Sequence, residues 1–259
     1  MRGILRMVEH DFRNFFRYKW WLVGLISMNL ADLFISALVY NTILKSTVKT
    51  GIGGSYFNFF APGLAVTGLF ASAFMIGREV NMERRREVHH YMLSLPMTRL
   101  ELAIGRVLSG GLRGMMYMTP LLLTCFIFVG FPTIWQLLLI LAVLFLLAVG
   151  ISGLSISIAV STPSLETFIT ARGAVYYVLF FCSTVFYPLS VIQTAGTALA
   201  ALAEINPLSG ASDMIRSILL PQYASAFSFS YLSILYVAAF SAIFTFTAAF
   251  AYMRLIERA

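Results

Sequence analysis

Asp32 is the residue best placed to do chemistry, because it is a carboxylate set inside an apolar run from Trp20 to Leu44. Asn29, Ser36 and Tyr40 fall three or four residues from one another around it, which puts the four on one helical face. A charge at membrane depth costs at least about 2.5–3.5 kcal/mol on insertion scales, so that stripe should face protein or a wet cavity. Two readings stay open: a polar path across the membrane, or a hydrogen-bonded seam between helices. Arg113 is the other ionisable residue within an apolar run, and it is close enough to the inner end to snorkel there. His10, His89 and His90 lie in charged segments, and Cys125 and Cys182 lie in apolar runs without metal-ligand spacing. The sequence contains no G-x-x-x-x-G-K-[ST] phosphate loop, no G-x-S-x-G and no H-E-x-x-H. The expectation is therefore no catalytic residue, no metal site and no cofactor of the chain's own.

The elements that carry these residues are set by composition. Hydrophobic residues make up 59% and charged residues 11% of the 259, with mean hydropathy +0.85. A soluble domain carries about 25% charged residues, so this chain lacks the charge to coat a globule in water. Its net charge of +7 is gathered between apolar runs rather than spread over one face. That distribution argues against nucleic acid and for membrane orientation.

Crossing the hydrocarbon takes about 20 apolar residues, and six segments qualify: 20–44, 57–77, 107–129, 134–160, 173–192 and 229–253. Runs such as 137–149 are apolar on every face, which predicts helices rather than barrel strands. The fold class expected is an all-α integral membrane protein forming a single domain over 1–259. Basic residues orient it. Arg2, Arg6, Arg13, Arg17 and Lys19 precede the first span; Arg78, Arg84, Arg85, Arg86, Arg99 and Arg106 follow the second. Arg172, Arg254 and Arg258 fall on the same side, against Lys45, Lys49 and Arg216 on the other. Both termini are thus expected in the cytoplasm of a plasma-membrane protein.

Three pieces do not span. Residues 1–18 predict an interfacial amphipathic helix, with Ile4, Leu5, Val8, Phe12, Phe15 and Phe16 on one face and Arg2, Arg6, Glu9, Arg13 and Arg17 on the other. They lack the apolar core of a cleavable signal peptide. Residues 78–106 form the one long cytoplasmic loop, helical over Met82–Leu95, broken at Pro96 and reopened by Thr98 and Glu101 as a capping box. Its charge cluster predicts a docking surface. Residues 193–228 are too apolar for a free loop and predict two short re-entrant helices meeting at Asn206-Pro207 on the outer side.

These pieces resemble the ABC-2 type permeases. The run Met82-Glu83-Arg84-Arg85-Arg86 through Met92-Leu93-Ser94-Leu95-Pro96-Met97-Thr98-Arg99-Leu100-Glu101, then Gly105, is similar to that family's "ER…LLSxPxSRxE…G" signature. Phe186-Tyr187-Pro188, Asn206-Pro207-Leu208 and Arg216 look like its "F-x-P…N-P-L…R" pattern. Glu87-Val88 and His90 depart from the Gly-Thr-acidic run that many members carry. The resemblance implies an export permease working as a homodimer with two copies of a separate ABC ATPase, which would hold ATP and Mg. Glu83, Arg84, Arg85, Arg86, Glu87, Leu93, Pro96, Arg99 and Glu101 would then be the ATPase-coupling residues. Asn29, Asp32, Ser36 and Tyr40 would lie near the path or dimer seam, and Pro188, Asn206, Pro207 and Arg216 would mark the outer re-entrant segment.

Two other classes compete. An ATP-independent channel or secondary transporter needs a midplane coupling site and usually an inverted repeat; Asp32 is its sole candidate, and the long loop has no counterpart in the second half. A membrane-embedded enzyme or a non-transporting assembly subunit is the third.

Overall fold

A computed structural model of the chain describes residues 2–17, 56–86, 97–221 and 230–257, with scattered positions between 20 and 35. Every regular element among the described residues is a helix: α1 (Arg2–Arg17), α2 (Tyr56–Ala73), α3 (Met75–Arg85), α4 (Arg99–Val129), α5 (Ile134–Ser161), α6 (Leu165–Phe181), α7 (Leu189–Ala195), α8 (Thr197–Ile205), α9 (Pro207–Leu219) and α10 (Tyr231–Glu257).

Among the described residues, four stretches are long and apolar enough to cross a membrane: Phe57–Arg85, Arg99–Val129, Ile134–Ser161 and Tyr231–Leu255. The first joins α2 and α3 across a turn at Phe74, so residues 78–85 continue that helix instead of beginning a loop. The predicted first span lies largely outside the described residues, although Phe34 meets Phe128 of α4 edge-on at 6.1 Å.

The fifth predicted span differs most. Its helix runs Leu165–Phe181, starting eight residues earlier than expected and stopping well short of residue 192. Ser164 starts it, because its hydroxyl accepts from the Thr167 amide at 3.1 Å in a capping box. The polar stretch Cys182–Thr184 ends it, and Pro188 opens the separate α7. Seventeen residues rise about 25 Å, short of the roughly 30 Å of hydrocarbon.

α5 is the hub, packing against α10, α4 and α3. Apolar burial does not drive helices together in lipid, so close approach depends on small residues. Gly153 supplies it: a Cβ there would stand 2.7 Å from the Phe244 carbonyl carbon of α10. Ser155 secures the α3 side by donating to the Phe74 carbonyl, which accepts at the turn between α2 and α3.

Candidate functional site: a charge cluster tying the N-terminal helix to the bundle

α1 lies against α4. Its buried line is Gly3, Met7 and Asp11, spaced four apart, while Leu5 is 69% exposed. Gly105 of α4 allows the approach, since a Cβ there would be 2.9 Å from Met7 Cβ.

Asp11 is the polar member of that line. Its carboxylate accepts from Arg106 Nη1 at 2.7 Å and from the Ser109 hydroxyl, both on α4. The other arm of Arg106 is held by both carboxylate oxygens of Glu83 on α3. Tyr252 of α10 hydrogen-bonds the same guanidinium. One fully buried arginine thus joins α1, α3, α4 and α10. A guanidinium suits this because its planar fork serves two carboxylates at once and never loses its charge.

Burial opposes ionisation of Asp11, but Arg106, His10 and Ser109 outweigh it and hold its carboxyl below the usual carboxylate range. His10 is shifted up, chiefly because it hydrogen-bonds Asp11, against an opposing desolvation. Seven residues, about two turns, beyond Arg106 on α4, Arg113 pairs with Glu79 of α3. Its side chain is 4% exposed.

The predicted coupling residues separate into distinct roles. Glu83 faces inward to Arg106. Arg84 donates to the carbonyls of Val160, Thr162 and Pro163, at 3.1, 2.7 and 3.1 Å, and so closes the free end of α5. Arg85 and Arg86 are exposed. Thr98 and Glu101 form the capping box of α4, with Glu101 beside Gly3 of α1, and Arg99 begins that helix. Glu87, Leu93 and Pro96 lie outside the described residues, as do Asn29, Asp32, Ser36 and Tyr40.

A third buried arginine, after Arg106 and Arg113, stands toward the opposite end of α4. Arg216 of α9 donates to the carbonyls of Phe59, Thr184 and Val185, each at 2.8 Å, and to Asp213 at 2.6 Å, with the Phe59 ring 3.7 Å from its guanidinium carbon. Asn206 donates to the Leu179 and Cys182 carbonyls at 2.8 Å and caps α9 through the Leu208 amide. Pro207 occupies the first turn of α9, and Pro188 precedes α7. These residues satisfy the backbone left open where α6 breaks. Their work is structural.

Sequence reasoning passed over Asp11, Ser109, Glu79 and Tyr252. A usable signal existed for Asp11: it lies four residues from Met7 and three from Val8, an acid on an otherwise apolar stripe.

Against known families, the model described as ABC-2 type transporter matches residues 3–220. No individual curated protein matches the chain.

Proposed function

We propose, from the premise that this chain belongs to the ABC-2 type transporter family, that it is the permease of an ATP-driven exporter moved by a separate ATPase. It is a multi-pass membrane protein and a transport component. Beyond that, the reading is a homodimer of six-span chains in the plasma membrane, with both termini and the α1 end of the bundle in the cytoplasm. Two ATPase subunits dock there and bind the ATP and Mg. The distribution of basic residues supports the orientation.

The observation that carries the reading is the Arg106 cluster. A partner pressing on the exposed Arg85–Arg86 end of α3 would push on a helix whose Glu83 is joined through Arg106 to α1 and α4. Force applied at one point would then move three helices as a unit, which is how a packed element transmits a rigid-body shift. Thr98 and Glu101 place the start of α4 at the same end, so the segment between α3 and α4 is anchored on both sides.

Co-purification with an ATPase that bears a phosphate loop, lost on Arg85→Glu/Arg86→Glu, tests the assignment. ATP turnover that is identical with and without this chain would overturn it.

A further inference from the structure

Among the described residues, α6 packs against α3 and α5, while Ile169, Tyr177, Val178 and Phe181 are left exposed on its far side. Ring contacts line the packed side. Phe168 lies 6.2 Å from Phe74 at the turn before α3, and Tyr176 lies 5.6 Å from Phe70 of α2. Phe186, just past the end of α6, lies 5.6 Å from Phe60. Residue numbers fall on one side as they rise on the other, so α6 runs antiparallel to α2 and α3. Apolar contacts of this kind do not by themselves hold two helices in register within lipid. Directed polar bonds have to do that.

Such bonds occur at both ends of the pair, each time from an arginine. At the α9 end, Arg216 donates to the Phe59 carbonyl of α2 and to the Thr184 and Val185 carbonyls just beyond α6. The approach there is close: a Cβ on Gly63 of α2 would stand 2.8 Å from the Val185 carbonyl oxygen. At the α1 end, Arg84 of α3 grips the corner between α5 and α6. It donates to Val160 in the last turn of α5 at 3.1 Å, and to Thr162 and Pro163 in the three-residue link at 2.7 and 3.1 Å. Asn81, three residues back on α3, donates to the Ala159 carbonyl at 3.4 Å. Satisfying carbonyls at this corner does not require an arginine, because Ser161 and Pro163 are exposed and water reaches them. What the guanidinium adds is a rigid fork that holds both sides of the corner to one point on α3.

We infer that Arg84 is a positioning residue of the transport cycle: it carries a shift of the α3 end across the corner into α6, so that α2, α3 and α6 move as one unit. Arg106 joins α1, α3, α4 and α10; Arg84 extends the same rigid-body movement to the α5–α6 corner. The source of the shift rests on the docking reading above. The union of α3 with α6 does not, and it is measured on the chain alone.

Spin labels at Arg78 and Glu166, both exposed, report the α3–α6 separation by dipolar broadening in the full chain in nanodiscs, with Cys125 and Cys182 changed to alanine. The labelled parent should give one narrow distribution. Arg84→Gln should spread it, and so should the milder Arg84→Lys, which separates loss of the fork from loss of charge. With the co-purified ATPase trapped in its ATP-bound state, the separation should stay fixed in the parent. In Arg84→Gln it should change, at unaltered capture of the ATPase, because α3 then moves without α6. Distributions as narrow in both variants as in the parent, or a parent separation that changes on trapping, would overturn the inference. Failure to capture any ATPase overturns the docking reading alone, and the widths measured in its absence still decide whether Arg84 unites the two helices.

Discussion

Asp11 stands 2.7 Å from Arg106, a residue ninety-five positions later, and both side chains are almost completely withdrawn from solvent. The pair fixes the first helix to the bundle more firmly than interfacial burial alone would. Removing one partner of a buried ion pair leaves an uncompensated charge and costs about 3–5 kcal/mol. Glu83 remains on Arg106 in an Asp11→Ala variant, so the lower part of that range, about 3 kcal/mol, is expected. Limited proteolysis within α1 should accelerate sharply, while the melting of α4 and α5 shifts less. Unchanged protection of α1 would show that the helix is held by something else.

His10 gives the same junction a pH dependence. Its raised pKa means that the docked state favours the protonated ring. That contribution is fully present below the ordinary value of 6.5 and is lost as pH rises through the higher docked value. Asp11 works in the opposite sense: its lowered pKa contributes above 3.8 and is lost as pH falls through the lower docked value. The groups facing His10 are Asp11, Arg106 and Glu83. Docking of α1 should therefore be tightest between about pH 4 and 6.5 and loosen above it, and His10→Gln should remove the loosening on the alkaline side. Hydrogen exchange of the α1 amides across pH 5–9 reads this directly.

The apolar runs announced the long helices because lipid demands that whole segments be apolar, and α5 begins at the expected Ile134. The α6 segment was less legible. Arg172 and Glu166 pushed the hydropathy window away from a helix that starts at Leu165, and the break at Cys182 depends on Asn206 catching carbonyls twenty-four and twenty-seven residues upstream. The charge cluster was harder still. Glu83 read as a surface acid because nothing local shows that Arg106, a helix away, will fold over it. A pairing between three elements has no periodicity to betray it.

Arg216 is expected to tolerate no substitute. Lysine keeps the charge but replaces a planar fork with one compact donor, so it cannot reach Phe59, Thr184, Val185 and Asp213 together. Several buried carbonyls would then lose their donor, each costing about 1–3 kcal/mol. Arg216→Lys should lower the midpoint of thermal unfolding in detergent by at least as much as Asp213→Asn, which leaves the three carbonyl bonds in place.

Gly153→Ala tests the packing of α5 on α10. The added methyl would meet backbone rather than a movable side chain, with the Phe244 carbonyl carbon at 2.7 Å, so the helices must separate. Overpacking of this kind costs about 1–3 kcal/mol. Gly173→Ala, with open space around the site, should be nearly neutral in the same melting experiment.

The last expectation separates gripping from transmission. Arg85 and Arg86 are exposed at the end of α3, whereas Glu83, two residues before Arg85, is turned inward to Arg106. If an ATPase docks at this end, reversing the two outer charges should weaken its capture, by about tenfold for a pair of surface contacts worth about 0.5–1 kcal/mol each. Glu83→Gln changes nothing that a partner touches. It removes one of the two carboxylates on Arg106 and so loosens α3 from α1 and α4 while leaving the docking surface in place. The ATPase should then bind the Glu83→Gln variant with unaltered affinity, yet the permease should no longer raise its turnover when substrate is present. Affinity measured on immobilised permease, alongside ATP hydrolysis in proteoliposomes, distinguishes the two. Equal losses of affinity in both variants would mean that Glu83 belongs to the docking surface and that the Arg106 cluster transmits nothing.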